Sequence, residues 1–508
     1  MSSRVRVFVC VSLLATLCLG LAAWQQAGRR PDSGADAPAA ALPRLVLLYA
    51  PCTVTTATLG PYNPDVEYTP ELSRFARSAV VFRRHHGEAG RSAIDYAALF
   101  TGTQAMRHGV FSNMDRLPDD VYTVAEAFRD AGYDTYFWAA HPFASKDLNF
   151  AQGVDDAHVV DGNAGMGNRP YHERRFLRAS DPRFRAILAR LQRDPTYRAL
   201  VLTNFSVTHA PYPAEYRVAF CDTFPQECRG LRDEDFTRFG PVWHEQVATF
   251  SLYPAATAAS MGEADFGTMT RVVEVLYKSN FFYLDALFGA VVDAIRDAGL
   301  FDQSLIAFTA DHGEVLYRPN ARLAWSHGFQ LAPEVLAIPL MISAPGLAPG
   351  TYESVSRSID VLPTLLGLAH VRLSAEHPPP MGVDLAPALH RLQAPPALMA
   401  YSHSALSHPA GARHPDPEQM LVGVRAADLN YRHDPAEPGP TRFTVADWRV
   451  DPTAPLPHAV EQSPVFDGLM EYQTDLVRAY NGERARPARQ PSLTAADLER
   501  LRQLGYAE

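Results

Sequence analysis

From Leu45 onward, short apolar runs alternate with longer amphipathic stretches. The runs Leu45 to Ala50, Val80-Val81-Phe82, Asp134 to Ala140, Ala199 to Phe205, Ser304 to Ala310 and Leu340 to Ala344 are compact and bounded by turn residues, which predicts strands. Between them, helical spacing of apolar positions predicts helices over 69–78, 121–131, 183–192, 264–298 and 361–368, with Gly132 and Gly299 as stops. At the first of these, Thr69 has the chemistry of an N-cap and Pro70 suits the first helical position. Strands alternating with helices predict a doubly wound α/β fold on a mostly parallel sheet. Residues 221–262 show no clear period and read as an insertion. From about Gly382 the pattern changes to short segments rich in Pro, Gly and Asp. That predicts an α/β core over 43–381 and a small β-rich C-terminal subdomain over 382–508, closed by a helix from Thr494 to Leu504.

The N-terminus follows a different pattern. Arg4 and Arg6 precede an uncharged run from Val7 to Trp24. As a helix this run would rise about 27 Å, enough to cross a bilayer core. Residues 1–24 therefore read as a signal peptide or a signal anchor, and the Ala-, Gly- and Pro-rich residues 25–42 as a flexible spacer. The expected location is outside the cytoplasm, either membrane-anchored through this segment or free in a periplasmic or extracellular space. In such an oxidising compartment Cys221 and Cys228 can close a small loop, which leaves Cys52 unpaired. The net charge of −10, with no long basic run, argues against nucleic acid as a main partner.

The chemistry is densest where the apolar run Ser304 to Phe308 ends in Thr309-Ala310-Asp311-His312-Gly313-Glu314. A buried strand would deliver Asp311 and His312 to the carboxyl edge of the sheet, where α/β folds bind ligands. Gly313 would let the chain turn sharply away. Asp with His is a metal-ligand pair, an acid/base pair, or both. Trp325-Ser326-His327-Gly328 adds a third such side chain. The competing reading is a solvated turn capped by Asp311.

Other segments share an order with this one. They include Thr58-Leu59-Gly60 with Thr69-Pro70-Glu71-Leu72, Ala97 to Gly102 with Arg107-His108-Gly109, and Gly132-Tyr133-Asp134-Thr135. Thr208-His209-Ala210-Pro211-Tyr212, Tyr283-Leu284-Asp285, Asp360-Val361-Leu362-Pro363-Thr364 and Leu501 to Tyr506 follow. In this order the chain resembles the sulfatase family of the alkaline-phosphatase-like superfamily. The resemblance implies an α/β/α sandwich with a central, mostly parallel sheet and a small C-terminal β-rich subdomain. It also implies in-line attack by an oxygen nucleophile on a sulfate or phosphate ester held by a divalent metal.

Two of the motifs depart from the family. The family's spacing puts the nucleophile ten residues before Gly102, at Ser92, but Ile94 and Tyr96 stand where Pro and Arg belong. Formylglycine formation depends on those two residues, so an unmodified Ser92 is the expectation. Eight residues before Gly60, where the family carries acidic metal ligands, stands Cys52, followed by Thr53. The family's Lys after the next strand is replaced by Ala140, with His141 beside it. Asp311 then remains the only carboxylate in the implied shell, which is too few for calcium. Asp311, His312, His327 and a Cys52 thiolate would instead suit zinc, with manganese as the other choice. The competing reading of Cys52 is a small buried residue at a strand end. His85-His86 would add imidazoles or lie in an exposed loop, and Arg91 would supply the cation missing at Tyr96. By resemblance, His209 is the leaving-group and oxyanion histidine, with His327 complementing it.

The first function expected is hydrolysis of sulfuric or phosphoric esters by an exported or tethered enzyme, with Ser92, His209 and His327 catalytic. The second is a catalytically inactive protein binding an anionic glycan or lipid head group. A third is transfer of a phosphoryl-linked group to a cell-envelope acceptor. The expected partner is a sulfated or phosphorylated small molecule, glycan or lipid head group.

Overall fold

A computed structural model describes residues 42–113, 115–139, 148–159, 176–210, 212–248, 253–318, 324–325, 327–328, 331–404, 420–427, 429–435, 443–447 and 464–485. The N-terminal run Val7 to Trp24, Ala140, His141 and the helix expected over 494–504 lie outside these residues. Among the described residues no helix is long and apolar enough to cross a membrane.

Eight strands form the central sheet: β1 Leu45–Tyr49, β2 Val80–His86, β3 Asp134–Ala139, β4 Asp156–Val159, β5 Ala199–Asn204, β6 Ser304–Thr309, β7 Leu340–Ser343 and β8 Gly350–Arg357. Their order is β4-β3-β5-β1-β6-β7-β2-β8. The pairings are parallel except those of β7, which is antiparallel to both β6 and β2. β1 lies between β5 and β6 and is fully buried, so both of its faces are apolar. Val46 and Leu48 enter one core layer, and Leu45, Leu47 and Tyr49 the other.

The main helices are α1 Pro70–Ala76, α2 Ser92–Thr101, α3 Val124–Asp130, α4 Pro182–Arg193, α5 Arg217–Thr223, α6 Asp233–Ala248, α7 Pro254–Met261, α8 Glu263–Asp297, α9 Ser358–Leu368 and α10 Pro464–Ala485. Helices α2, α3 and α9 cover the first face, and α1, α4 and α8 the second, giving an α/β/α sandwich. The segment 221–262, without a clear period in sequence, is largely helical here as the end of α5 with α6 and α7. Its disulfide joins Cys221 to Cys228, while Cys52 is free and buried.

Helix α1 begins where expected, but Thr69 does not cap it. The Thr69 hydroxyl instead accepts from the Gly60 amide at 2.8 Å. The first-turn amides of Glu71 and Leu72 donate to the Asp285 carboxylate on α8, at 2.9 and 2.7 Å. A cap borrowed from a distant helix ties two elements together as well as satisfying two donors. Asp285→Ala is expected to cost about 2 kcal/mol, read as a lowered urea midpoint.

A second, antiparallel sheet holds β9 Met399–Ser404, β10 Leu421–Ala426, β11 Leu429–His433 and β12 Phe443–Asp447, in the order β12-β11-β10-β9. Val422 and Val424 of β10 and Leu469 and Leu476 of α10 join the same apolar layer as α2. Buried histidines stand near this seam. His85 Nδ1 pairs with the Ser356 hydroxyl at 3.0 Å, and His403 Nδ1 with the Tyr472 hydroxyl at 3.1 Å. Burial pushes His85 down to about 3 and His403 down to about 4. Both folded values lie below the ordinary ~6.5. Unfolding therefore takes up protons below that pH, and stability is lost as pH falls from ~6.5 towards the folded values. Between pH 7 and pH 5 each residue contributes a loss of roughly 2 kcal/mol. His403→Gln should flatten the pH dependence of the urea midpoint by that amount. An unchanged slope would contradict burial of a neutral ring.

Candidate active site

Four loops leave the carboxyl ends of parallel strands and meet at one point. The loop after β1 carries Cys52, the loop after β5 His209, the loop after β6 Asp311 and His312, and the loop after β2 leads to Ser92. Backbone bonds tie the first three loops together. The Cys52 amide donates to the Phe205 carbonyl at 2.6 Å, and the Val54 amide to the His312 carbonyl at 2.8 Å. Thr53, between them, has φ +58°, an unfavourable conformation for a β-branched residue. Its amide donates to Asp311 Oδ1 at 3.2 Å, its hydroxyl to the Thr208 carbonyl at 2.6 Å, and its carbonyl accepts from the Tyr277 hydroxyl at 3.0 Å. Such strain, of order 1–3 kcal/mol, persists only where surrounding contacts over-determine it.

Ser92 is the first residue of α2 and is fully buried. Asp95 pins the loop before it. Asp95 Oδ1 accepts from the amides of Glu88 and Ala89 at 2.7 and 2.9 Å, and Oδ2 from that of Arg91 at 2.9 Å. Ser92 Oγ lies 3.1 Å from His312 Nε2 and 3.4 Å from Cys52 Sγ. His312 Nδ1–H donates to the Gly313 carbonyl at 2.9 Å, which leaves Nε2 as acceptor for the Ser92 hydroxyl. Gly313 is required here for a reason other than a sharp turn. Its φ lies outside the left-handed region, but a Cβ would sit 1.9 Å from the Glu334 carbonyl oxygen.

Cys52, Asp311 and His312 each bring one ligand-type atom within 4.8 Å of the others. Asp311 Oδ1 accepts from the amides of Thr53 and His312, whereas the buried Oδ2 has no hydrogen-bond partner and lies 3.5 Å from His312 Nε2. Burial, then the nearby Asp311 carboxylate, pushes the Cys52 thiol well up. An orphaned carboxylate oxygen beside a thiol and an imidazole lone pair is a donor set that a divalent cation would satisfy. One sulfur, one nitrogen and one carboxylate make a mixed donor set, unlike the six to eight oxygens that calcium wants. The neighbouring carboxylates of Asp95 and Glu314 are already engaged by the loop amides and by His327 with Tyr212.

A wall of imidazoles faces this centre. His327 stacks on His312 with ring centroids 4.3 Å apart, and His209 meets His327 edge-on at 4.9 Å. His327 Nδ1–H donates to Glu314 Oε1 at 3.1 Å, and the Tyr212 hydroxyl to Glu314 Oε2 at 3.3 Å. Trp243 of the 221–262 segment stacks on Tyr212 at 4.7 Å, so that segment supports the site from behind. His209 Nδ1–H donates to the Ala210 carbonyl. Burial lowers His209 to about 3 and both His312 and His327 to about 4, so all three rings are neutral at pH 7. Burial also lifts Glu314 to about 7. The His327 side chain is 13% exposed while Ser92 is fully buried, so the described residues open towards His327.

Ser92, Cys52, His209, Asp311, His312 and His327 thus share one centre, while other expected contributors lie elsewhere. His85 and His86 belong to β2 and are buried rather than in an exposed loop. Their rings pair with Ser356 and Arg425 and add nothing to the centre. Arg91, by contrast, packs across Gly328, with Nε 3.4 Å from the Gly328 carbonyl, and stays near enough to His327 for its charge to help keep that ring neutral. The Tyr96 hydroxyl donates to the Ala50 carbonyl at 2.6 Å and is a strut, not a cation. Glu314 and Asp95 were not expected as site residues. The only sequence signal for Glu314 was its adjacency to Asp311-His312-Gly313.

Comparison with known proteins finds relatives along most of the chain. A profile of the family described as Sulfatase matches residues 54–371. Choline-sulfatase of Rhizobium meliloti is 34% identical over 416 residues, 75% of this chain and 76% of that protein. An ulvan-active sulfatase of Formosa agariphila is 23% identical over 342 residues, spanning 61% of this chain and 58% of its own length. Among solved structures, a phosphonate monoester hydrolase from Silicibacter pomeroyi aligns with TM-score 0.59 and 20% identity, covering 88% of this chain and 96% of that one. At that identity the likeness is one of fold.

Proposed function

The chain belongs to the sulfatase family, and from that premise we propose that it hydrolyses sulfuric, phosphoric or phosphonic monoesters with unmodified Ser92 as the nucleophile. The supporting observation is the 3.1 Å contact between Ser92 Oγ and His312 Nε2 at the first turn of α2, beside Cys52 and Asp311. The helix N-terminus favours the anionic head of such an ester. Without a metal, the His312 Nε2 lone pair would take the Ser92 proton as the oxygen–sulfur or oxygen–phosphorus bond forms; with a cation held there that lone pair is spent on it, and the cation's charge would itself favour the Ser92 alkoxide. His209 and His327 line the more open side, where the leaving alcohol would depart. Cys52, Asp311 and His312 would hold a zinc ion, which when bound lends Lewis acidity to the ester's non-bridging oxygens. The substrate class is a sulfated or phosphorylated small molecule, glycan or lipid head group. Choline sulfate and sulfated ulvan fragments are natural first trials given the relatives above. Export or tethering would rest on the segment 1–24.

A second reading is a binder without turnover. The observation favouring it is Tyr96, which stands where the family carries Arg and whose hydroxyl is spent on Ala50. The two readings part in one assay on aryl sulfates, phosphates and phosphonate monoesters with zinc-supplemented protein. Turnover supports the hydrolase. Binding of the esters with no product overturns it in favour of the binder.

The metal assignment has its own readout. Purified protein is expected to retain about one zinc per chain by elemental analysis. Cys52→Ala, which removes the thiolate, should weaken zinc binding by about 100-fold or more in competition with a chelating dye. Calcium in place of zinc, or unchanged zinc affinity in the variant, would contradict the donor set.

A further inference from the structure

We infer that Ser92 and His312 also form a nucleophile–base pair that cleaves small carboxylic esters without a metal ion, an activity resting on the same centre as the proposed monoester hydrolysis. Two linked contacts define the pair. Ser92 Oγ–H donates to His312 Nε2 at 3.1 Å, and His312 Nδ1–H donates to the Gly313 carbonyl at 2.9 Å. This is a nucleophile, a base and a third group that fixes the base's tautomer, the arrangement that activates serine for acyl transfer.

The first turn of α2 supplies the remaining part. The Ala93 amide is engaged by Asn113 Oδ1 at 3.0 Å, whereas the amides of Ser92 and Ile94 have no acceptor among the described residues. They lie at the helix N-terminus beside the nucleophile, where amide donors stabilise a developing oxyanion. An acyl ester is uncharged, so it needs no guanidinium at the place Tyr96 occupies. Its only charge appears on the carbonyl oxygen in the tetrahedral intermediate. The complete burial of Ser92 and the partial exposure of His327 restrict the acyl group to a short one, such as acetyl.

The chemistry balances with water as the only co-reactant. The Ser92 oxygen bonds the carbonyl carbon as its proton passes to His312 Nε2 and the carbonyl π pair moves onto oxygen. Collapse breaks the carbon–alkoxy bond, whose electron pair leaves with the alcohol oxygen and takes the proton back from His312. Water then repeats both steps on acyl-Ser92, releasing the carboxylic acid and restoring the hydroxyl.

The test uses the full chain, as purified and after EDTA treatment, with p-nitrophenyl acetate and with a fluorophosphonate probe. The expected result is p-nitrophenol release that survives EDTA, and covalent labelling of Ser92 located by peptide mass spectrometry. Labelling should vanish in guanidinium-unfolded protein, because an ordinary serine is not reactive. His312→Gln should slow both reactions by about 100-fold or more. Native protein in which Ser92 stays unlabelled overturns the inference, and this outcome depends on no variant. Equal labelling in native and unfolded protein, or in wild type and His312→Gln, overturns it as well. Turnover of sulfate or phosphonate esters by zinc-loaded protein without acetate release would sink this inference alone. Acetate release without monoester turnover would sink the earlier proposal instead.

Discussion

Ser92→Ala is expected to lower kcat/KM for a sulfate or phosphonate monoester by at least ~10³-fold, because loss of a covalent nucleophile removes the reaction path rather than one stabilising contact. The fold should tolerate the change. Only the hydroxyl is lost, and its neighbours Cys52 Sγ and His312 Nε2 face one another at 3.8 Å without it. The thermal midpoint is therefore expected to remain within a few degrees of wild type, and initial rates on a saturating aryl ester make the measurement. A variant within tenfold of wild type would remove Ser92 from the reaction and leave a bound water as the attacking group. The size of the effect follows from where Ser92 sits. It is the point where the α2 N-terminus, the His312 lone pair and the Cys52–Asp311 pair converge.

The second large effect is on stability. Gly313→Ala would set a methyl carbon 1.9 Å from the backbone oxygen of Glu334. The obstacle is main chain. The Gly313 amide also donates to the Val335 carbonyl at 2.7 Å, so the two segments cannot part without losing that bond. Overpacking against backbone typically costs 1–3 kcal/mol and occasionally more, and this case should lie at or above ~3 kcal/mol. Relief by moving the β6 loop would displace His312, whose Nδ1–H is anchored on the Gly313 carbonyl itself. The variant should therefore lose urea stability and, in whatever fraction remains folded, lose zinc affinity and activity. A Gly313→Ala protein with a wild-type urea midpoint would mean that the Glu334 carbonyl lies farther away than it does here.

Much of the scaffold was legible along the chain. The strand that leads to Asp311 is a continuous apolar run, and burial on both faces demands such a run whatever its neighbours are. The long helix Glu263–Asp297 was equally plain, because its amphipathic period persists over many turns. Errors fell where a local rule competed with a distant partner. Thr69 has the chemistry of a cap, yet Asp285 from another helix reaches the amides first. His85 and His86 looked compatible with an exposed loop because polar neighbours flank them, but β8 pairs with β2 and encloses them. Gly313 suggested backbone freedom, whereas the true constraint is the approach of Glu334 from a later turn.

The sequence by itself placed six of the eight strands of the central sheet and five of its covering helices, and put Cys52, His209 and Asp311 near the ends of strands, while Ser92 followed from its spacing to Gly102 in the family resemblance. Periodicity and turn chemistry are properties of neighbouring residues, and the burial of one face or two imposes them before any partner is chosen. Only the tertiary structure decided which of these groups touch. Cys52 meets Ser92 across 40 residues of chain and His312 across 260, and Glu314 meets Tyr212 across 102. Contacts that far apart gain energy only after the sheet has closed the intervening loops, so no local pattern records them.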